Sequence, residues 1–178
     1  MFSQSGKPLF QKYCDLSVKK HLWRSKKSLM LYLDFLFQDI TFTRKSVLDI
    51  GGGSGLLSFY AAIQGADKVI CIEPELAGSN TGTKKQFEYI SAELSLTNVY
   101  FQSVRFQDFD AENAKFDIVI MHNSINHLDE NACIKLQYDA ASRNIYDSIF
   151  SKCINEHYWR CNNSFTVYSS FLLDSVYF

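Results

Sequence analysis

Proline is nearly absent from this 178-residue chain, which has only Pro8 and Pro74, and glycine is sparse at eight. Pro/Gly-rich linkers are therefore missing, as are repeats and low-complexity tracts, so a single domain is expected. No apolar run approaches the roughly 20 residues that span a bilayer, which argues against a membrane segment. The opening Met-Phe-Ser-Gln-Ser-Gly-Lys lacks the apolar stretch of a secretory signal, making the cytoplasm the expected location. Cys14, Cys71, Cys133, Cys153 and Cys161 form no C-x-x-C pair. His21, His122, His127 and His157 make no ligand spacing with them, so no metal is expected. An odd, scattered set of cysteines reads as free thiols in a reducing compartment.

A dominant charge is lacking as well. The formal charge is −1, so the chain as a whole has no field to draw nucleic acid or an acidic membrane. The first thirty residues differ, with Lys7, Lys12, Lys19, Lys20, Arg24, Lys26 and Lys27 against Asp15 alone. Such a run is a solvated helix face or a lid that holds an anionic acceptor, and the sequence leaves both open.

Apolar residues make up 47% of the chain and aromatics 15%, enough to build a packed core. Leu22, Leu29, Leu33 and Leu36 recur at helical spacing, which predicts one or two helices between Pro8 and Ile40. Ser46 to Ile50 reads as a short buried strand. A glycine cluster then opens a helix to about Gln64, stopped by Gly65. Further strands are expected at Lys68 to Glu73, between Asn98 and Phe106, and from Phe116 to Met121. A helix from about Thr83 to Leu96 falls among them. Asp129 can cap a long helix whose inner stripe includes Ile134, Ala141, Ile145, Ile149 and Cys153, and a strand-like run lies between Phe165 and Leu173. Continuous apolar strands alternating with helices imply an α/β fold. Its mostly parallel sheet is doubly wound, covered by helices on both faces and about five strands wide. Ligands in such folds bind beyond the carboxyl ends of the strands, where strand order reverses.

Half of the glycines sit at that edge. In Asp49-Ile50-Gly51-Gly52-Gly53-Ser54-Gly55 they let backbone amides approach a ligand closely at the start of a helix. A dinucleotide fingerprint would read G-x-G-x-x-G, but Leu56 stands where its last glycine belongs. Asp49 would repel a pyrophosphate, whereas it can pair with an ammonium directly or through water. A nicotinamide binder is disfavoured on both grounds. Glu73 ends the second strand, eighteen positions after Gly55, where a carboxylate can accept from both hydroxyls of a ribose. Pro74 and Glu75 follow as a ledge for a flat ring.

Val47 to Gly55, Glu73-Pro74, Gln107-Asp108-Phe109, Phe116 to Ile120 and Asn126-His127-Leu128 together resemble the class I (Rossmann-like) S-adenosylmethionine-dependent methyltransferases, in that family's order over residues 45–130. The resemblance implies S-adenosylmethionine as cofactor. It implies that Gly51, Gly52, Gly53 and Gly55 wrap the methionine end near Asp49, that Glu73 holds the ribose, and that Pro74 lies beside it. Asp108 would accept from the adenine amino group with Phe109 beside the ring. Asn123 would lie at the same rim and, with Ser124 and Asn126, orient an acceptor. His127 is either the general base or a histidine bonded to backbone. His122 alternates with the apolar positions of its strand and is expected to point elsewhere.

The sulfonium carbon is already activated, so transfer mainly needs the acceptor lone pair aligned within about 3–3.5 Å. No N-P-P-Y tetrapeptide follows the fourth strand and no Pro-Cys pair exists, which removes two nucleic-acid-directed subfamilies. A small-molecule or glycan acceptor is left by elimination. The expected organisation is a helical cap at 1–44, a cofactor core at 45–130, and a helix plus atypical fifth strand at 131–178. The resemblance implies two more strands than the remaining residues can hold, so the chain reads as truncated. The implied alternatives to an active enzyme are an inactive cofactor-binding remnant and a partner subunit. Self-association through an incomplete sheet edge is the matching expectation.

Overall fold

The computed structural model describes residues 6–75, 81–109, 116–122 and 167–168. Two helices come first, α1 (Gly6–Lys19) and α2 (Lys26–Phe37). One helical pattern becomes two because the chain folds back after Lys19. The Ser17 carbonyl accepts the amides of Leu22 and Trp23, and His21 takes a φ of 58°. Ser25 then caps α2, its hydroxyl accepting the Ser28 amide at 3.3 Å. Leu29, Tyr32, Leu33, Leu36 and Phe37 line the buried face of α2, a stripe at the helical period. Leu22 is partly buried in the turn between the helices rather than on α2.

The strands are β1 (Ser46–Ile50), β2 (Lys68–Ile72), β3 (Val99–Gln102), β4 (Ile118–Met121) and β5 (Val167–Tyr168). Helices α3 (Leu56–Ile63) and α4 (Thr83–Glu93) cross between the first three. All neighbours pair parallel in the order β3-β2-β1-β4-β5, which is the doubly wound parallel sheet expected from the sequence. Central strands β1, β2 and β4 are buried almost throughout, whereas β3 alternates, with Tyr100 48% exposed. The core runs from Tyr13 and Cys14 of α1 through Phe59 of α3 to Val47, Val69 and Ile120 of the sheet, with Phe87 and Ile90 closing it on the α4 side.

Element ends differ from the sequence expectation by a few residues, each for a local reason. Helix α4 stops at Glu93 because Ser95 turns left-handed at φ 53°. Strand β3 leaves the ladder after Gln102, where the Val104 amide bonds back to the Gln102 carbonyl at 3.0 Å. A 3-10 turn at Phe106–Asp108 follows. The strand expected between Phe165 and Leu173 pairs with β4 at Val167 and Tyr168. The long helix expected after Asp129 lies outside the described residues. Among the described residues no helix is long and apolar enough to cross a membrane.

β1, β2 and β3 step to one side and β4 to the other, so strand order reverses between β1 and β4. The crevice beyond their carboxyl ends is where such a sheet takes a ligand.

Candidate active site at the carboxyl edge of the sheet

The glycine loop starts where β1 ends, and its first residue is pinned to β2 by a 2.8 Å bond from the Gly51 amide to the Ile72 carbonyl. Gly55 carries a φ of 87° at the start of α3, and a Cβ there would meet the Phe87 ring at 2.5 Å. At Gly52 a Cβ would lie 2.5 Å from Asp49 Oδ2 and 2.6 Å from Cys71 Sγ. These two glycines are demanded by close approach, which composition alone does not reveal.

Asp49 is 1% exposed, directly beneath the loop. Its Oδ2 accepts the Ser58 hydroxyl at 2.6 Å. Burial pushes its carboxyl up to about 6; the hydroxyl and amide of Ser58 oppose this, and the negative charge of Glu73 adds to it. Glu73 follows β2 and is buried, and its Oε2 accepts the Gly53 amide at 3.1 Å. The structure therefore brings Asp49, Glu73, Gly51, Gly52, Gly53 and Gly55 together around one loop. Two carboxylates that disfavour each other's charge make this rim a place for a cation. Buried Cys71 lies beside them, its thiol pushed well up by burial.

Pro74 continues from Glu73, partly buried. Glu75 turns toward the start of α4, where its Oε1 accepts the Gly82 amide at 2.7 Å. Asp108 lies beyond β3 with its carboxylate exposed, accepting from Arg105 Nε at 2.7 Å. Phe109 is buried, with its ring centroid 6.4 Å from that of Phe116. Asn123 and His127 lie outside the described residues, as do Ser124 and Asn126.

Three participants were not singled out from the sequence. Ser58 is the lone polar residue in Leu56-Leu57-Ser58-Phe59, and a hydroxyl inside an apolar helix run is a legible sign of a buried partner. Gln86 accepts the Ser54 hydroxyl at 2.9 Å and donates to the Lys20 carbonyl at 2.8 Å, linking the glycine loop to the end of α1. Nothing in the sequence distinguishes it from other polar residues of α4. Tyr32 hydrogen-bonds through its hydroxyl to Nε2 of His122, the residue just after β4. His122, expected to point elsewhere than the acceptor, turns its ring to α2, and burial lowers its pKa.

A family model described as "Methyltransferase domain" matches residues 22–137, more than half of the chain. Ribosomal protein L11 methyltransferase of Prochlorococcus marinus strain MIT 9301 is 32% identical over 96 residues, 54% of this chain. The chain spans only 27% of that relative's length. Phosphoethanolamine N-methyltransferase 1 of Haemonchus contortus, solved with phosphoethanolamine and S-adenosylhomocysteine, matches at 20% identity and a TM-score of 0.53. The match covers 77% of this chain and 28% of that one, a likeness of fold. With the glycine loop, the acid after β2 and the strand order already in place, the family match supplies the conclusion: this chain belongs to the methyltransferase-domain family, the class I S-adenosylmethionine-dependent methyltransferases.

Proposed function

We propose that the chain binds S-adenosylmethionine along the carboxyl edge of β1, β2 and β4 and transfers its methyl group to a small-molecule or glycan-type acceptor. The convergence of Asp49 and Glu73 on one glycine loop supports this reading most directly. The residues present suit the cofactor. Its methionine end carries an ammonium, and the buried Asp49 carboxylate is the nearest cause for that cation to bind, directly or through water. The glycine loop from Gly51 to Gly55 borders the methionine end, and Glu73 accepts from the ribose hydroxyls. Pro74, Asp108 and Phe109 border the adenine, and Asn123 the same rim.

When bound, the cofactor supplies an electrophilic methyl on a sulfonium leaving group. The protein's part is to hold the acceptor in line, exclude water and remove a proton where the acceptor carries one. His127 is proposed for that last task. The match to a methyltransferase named for ribosomal protein L11 favours a second reading, in which the acceptor is a ribosomal protein.

Calorimetric titration of the full chain with S-adenosylhomocysteine and with NAD tests the cofactor assignment. Micromolar S-adenosylhomocysteine binding that weakens at least tenfold in Asp49→Ala and Glu73→Ala is expected. NAD binding of equal strength, or unchanged affinity in both variants, overturns it. Labelled methyl transfer into a metabolite fraction, compared with a ribosomal protein fraction, separates the two acceptor readings.

A further inference from the structure

Strand β3 ends the sheet, and no described strand pairs with its outer side. The carbonyls of Asn98 and Gln102 accept the amides of Val69 and Glu73 at 2.8 and 3.1 Å, so residues 98, 100 and 102 direct their backbone groups to β2. Backbone direction alternates along a strand, which turns the amide and carbonyl groups of Val99 and Phe101 away from the sheet.

Proteins ordinarily blunt such an edge with charge or proline. Between Glu93 and Arg105 this chain carries neither. Tyr100, at the middle of β3, is 48% exposed. Beside the edge a groove of about 490 Å³ opens between β3 and α4, lined by Phe87, Glu88, Ser91, Leu96, Val99 and Phe101 among others.

We propose that this edge binds the same edge of a second copy of the chain, antiparallel about a two-fold axis at Tyr100, so that one sheet runs through both protomers. That register sets Val99 opposite Phe101 of the second copy, and Phe101 opposite its Val99. Both are outward residues, so each pairing exchanges two N–H···O bonds and the contact makes four. Moving the axis to Val99 or Phe101 would instead engage residue 97 or 103, outside the strand. Tyr100 then faces its own copy in the closely spaced position, where aromatic pairs are stabilising. Val99 and Phe101 lie on the α4 side, with the Phe101 ring centroid 5.1 Å from that of Phe87. Cross-strand neighbours share a face, so the two grooves meet and form one apolar layer beneath both copies of α4.

Charge selects the antiparallel arrangement. The uncharged run is flanked by Glu93 on one side and Arg105 on the other. The two-fold turns the acidic flank of each copy toward the basic flank of the other, whereas parallel pairing would set like charges together. A four-residue strand and one groove make a small interface, so a reversible dimer with a Kd on the order of 10–100 µM is expected.

Sedimentation velocity of the full chain from about 5 to about 500 µM tests the pairing. The parent should shift reversibly from 20.5 kDa to twice that mass. Its Val99 and Phe101 amides should exchange about threefold more slowly at the upper concentration. Tyr100→Lys puts like charges opposite each other on the axis, and Val99→Pro removes an outward amide while sparing the ladder with β2. Each is expected to weaken the dimer at least about tenfold with circular dichroism unchanged. A dimer that survives Tyr100→Lys overturns the proposal, as does growth beyond the dimer, because a two-fold contact closes. A monomer over the whole range leaves the edge to a partner of another kind and also overturns it. Should Val99→Pro lose its circular dichroism, the parent's exchange rates decide in its place: a dimer without slower exchange at Val99 and Phe101 pairs elsewhere, and the proposal fails.

Discussion

The Gly53 amide lies 3.1 Å from Glu73 Oε2, so a carboxylate at the end of β2 braces the loop that joins β1 to α3. The same side chain therefore has two tasks, one in the fold and one proposed for the ribose. Glu73→Gln keeps an acceptor for the amide and loses only the charge. Glu73→Ala loses both, and is expected to cost about 1–3 kcal/mol of stability against under about 1 kcal/mol for the glutamine variant. Urea unfolding monitored by circular dichroism compares them. Equal losses would mean that the loop does not depend on this bond.

Asp49 makes the apo protein sensitive to pH in an unusual direction. Its folded carboxyl titrates near 6, above the ordinary 3.8. A raised carboxyl favours the neutral form in the fold, so the associated stability is present below about pH 4 and lost as pH rises through 6. The loss is on the order of 3 kcal/mol. Asp49→Asn cannot ionise, and its stability relative to the parent should grow between pH 4.5 and 7.5. Parallel denaturation midpoints for the two proteins across that interval would show that Asp49 is not held neutral.

The same ionisation acts on the ligand with opposite effect. An ammonium is attracted to Asp49 only when the carboxylate is charged, so S-adenosylhomocysteine affinity should fall by about tenfold as pH drops from 7 to 5, because binding must then release the proton held by a carboxyl that titrates near 6. Calorimetry at the two pH values measures it. An unaltered slope in Asp49→Asn would remove Asp49 from the ligand's surroundings.

Gly52 and Gly53 are adjacent but should respond differently to alanine. At Gly52 the new methyl meets Asp49 and Cys71 at 2.5 and 2.6 Å, and the Asp49–Ser58 bond must shift to admit it. At Gly53 nothing lies within 4 Å, and the cost is that of a φ of +54° alone. We expect Gly52→Ala to lose more than about 2 kcal/mol and Gly53→Ala about 1 kcal/mol. Thermal unfolding of the two variants provides the comparison.

Gln86 connects Ser54 of the loop to the Lys20 carbonyl, so removing its side chain should loosen the junction of α1 with the loop before it weakens the sheet. Gln86→Ala is expected to speed amide exchange at residues 20–25 and 53–55 while β1 and β2 keep their protection. Uniform acceleration across the sheet would point instead to global destabilisation.

Local pattern alone determined the order of elements up to β4, the parallel sheet and the loop with its two acids. Apolar runs, a glycine cluster and a strand-end carboxylate act over a few neighbouring residues, and those are what a sequence displays. Asp49 and Glu73 were legible because both sit next to a strand end, a position that topology converts directly into a place at the crevice. The Tyr32–His122 bond, the Gln86 bridge and the clash that reserves position 52 for glycine were decided only by tertiary structure. Tyr32 is one more apolar-face residue of α2 until the chain, 90 positions later, returns with His122 beside it. Such pairings depend on how helices pack over the sheet, and neither residue carries a local mark of the other.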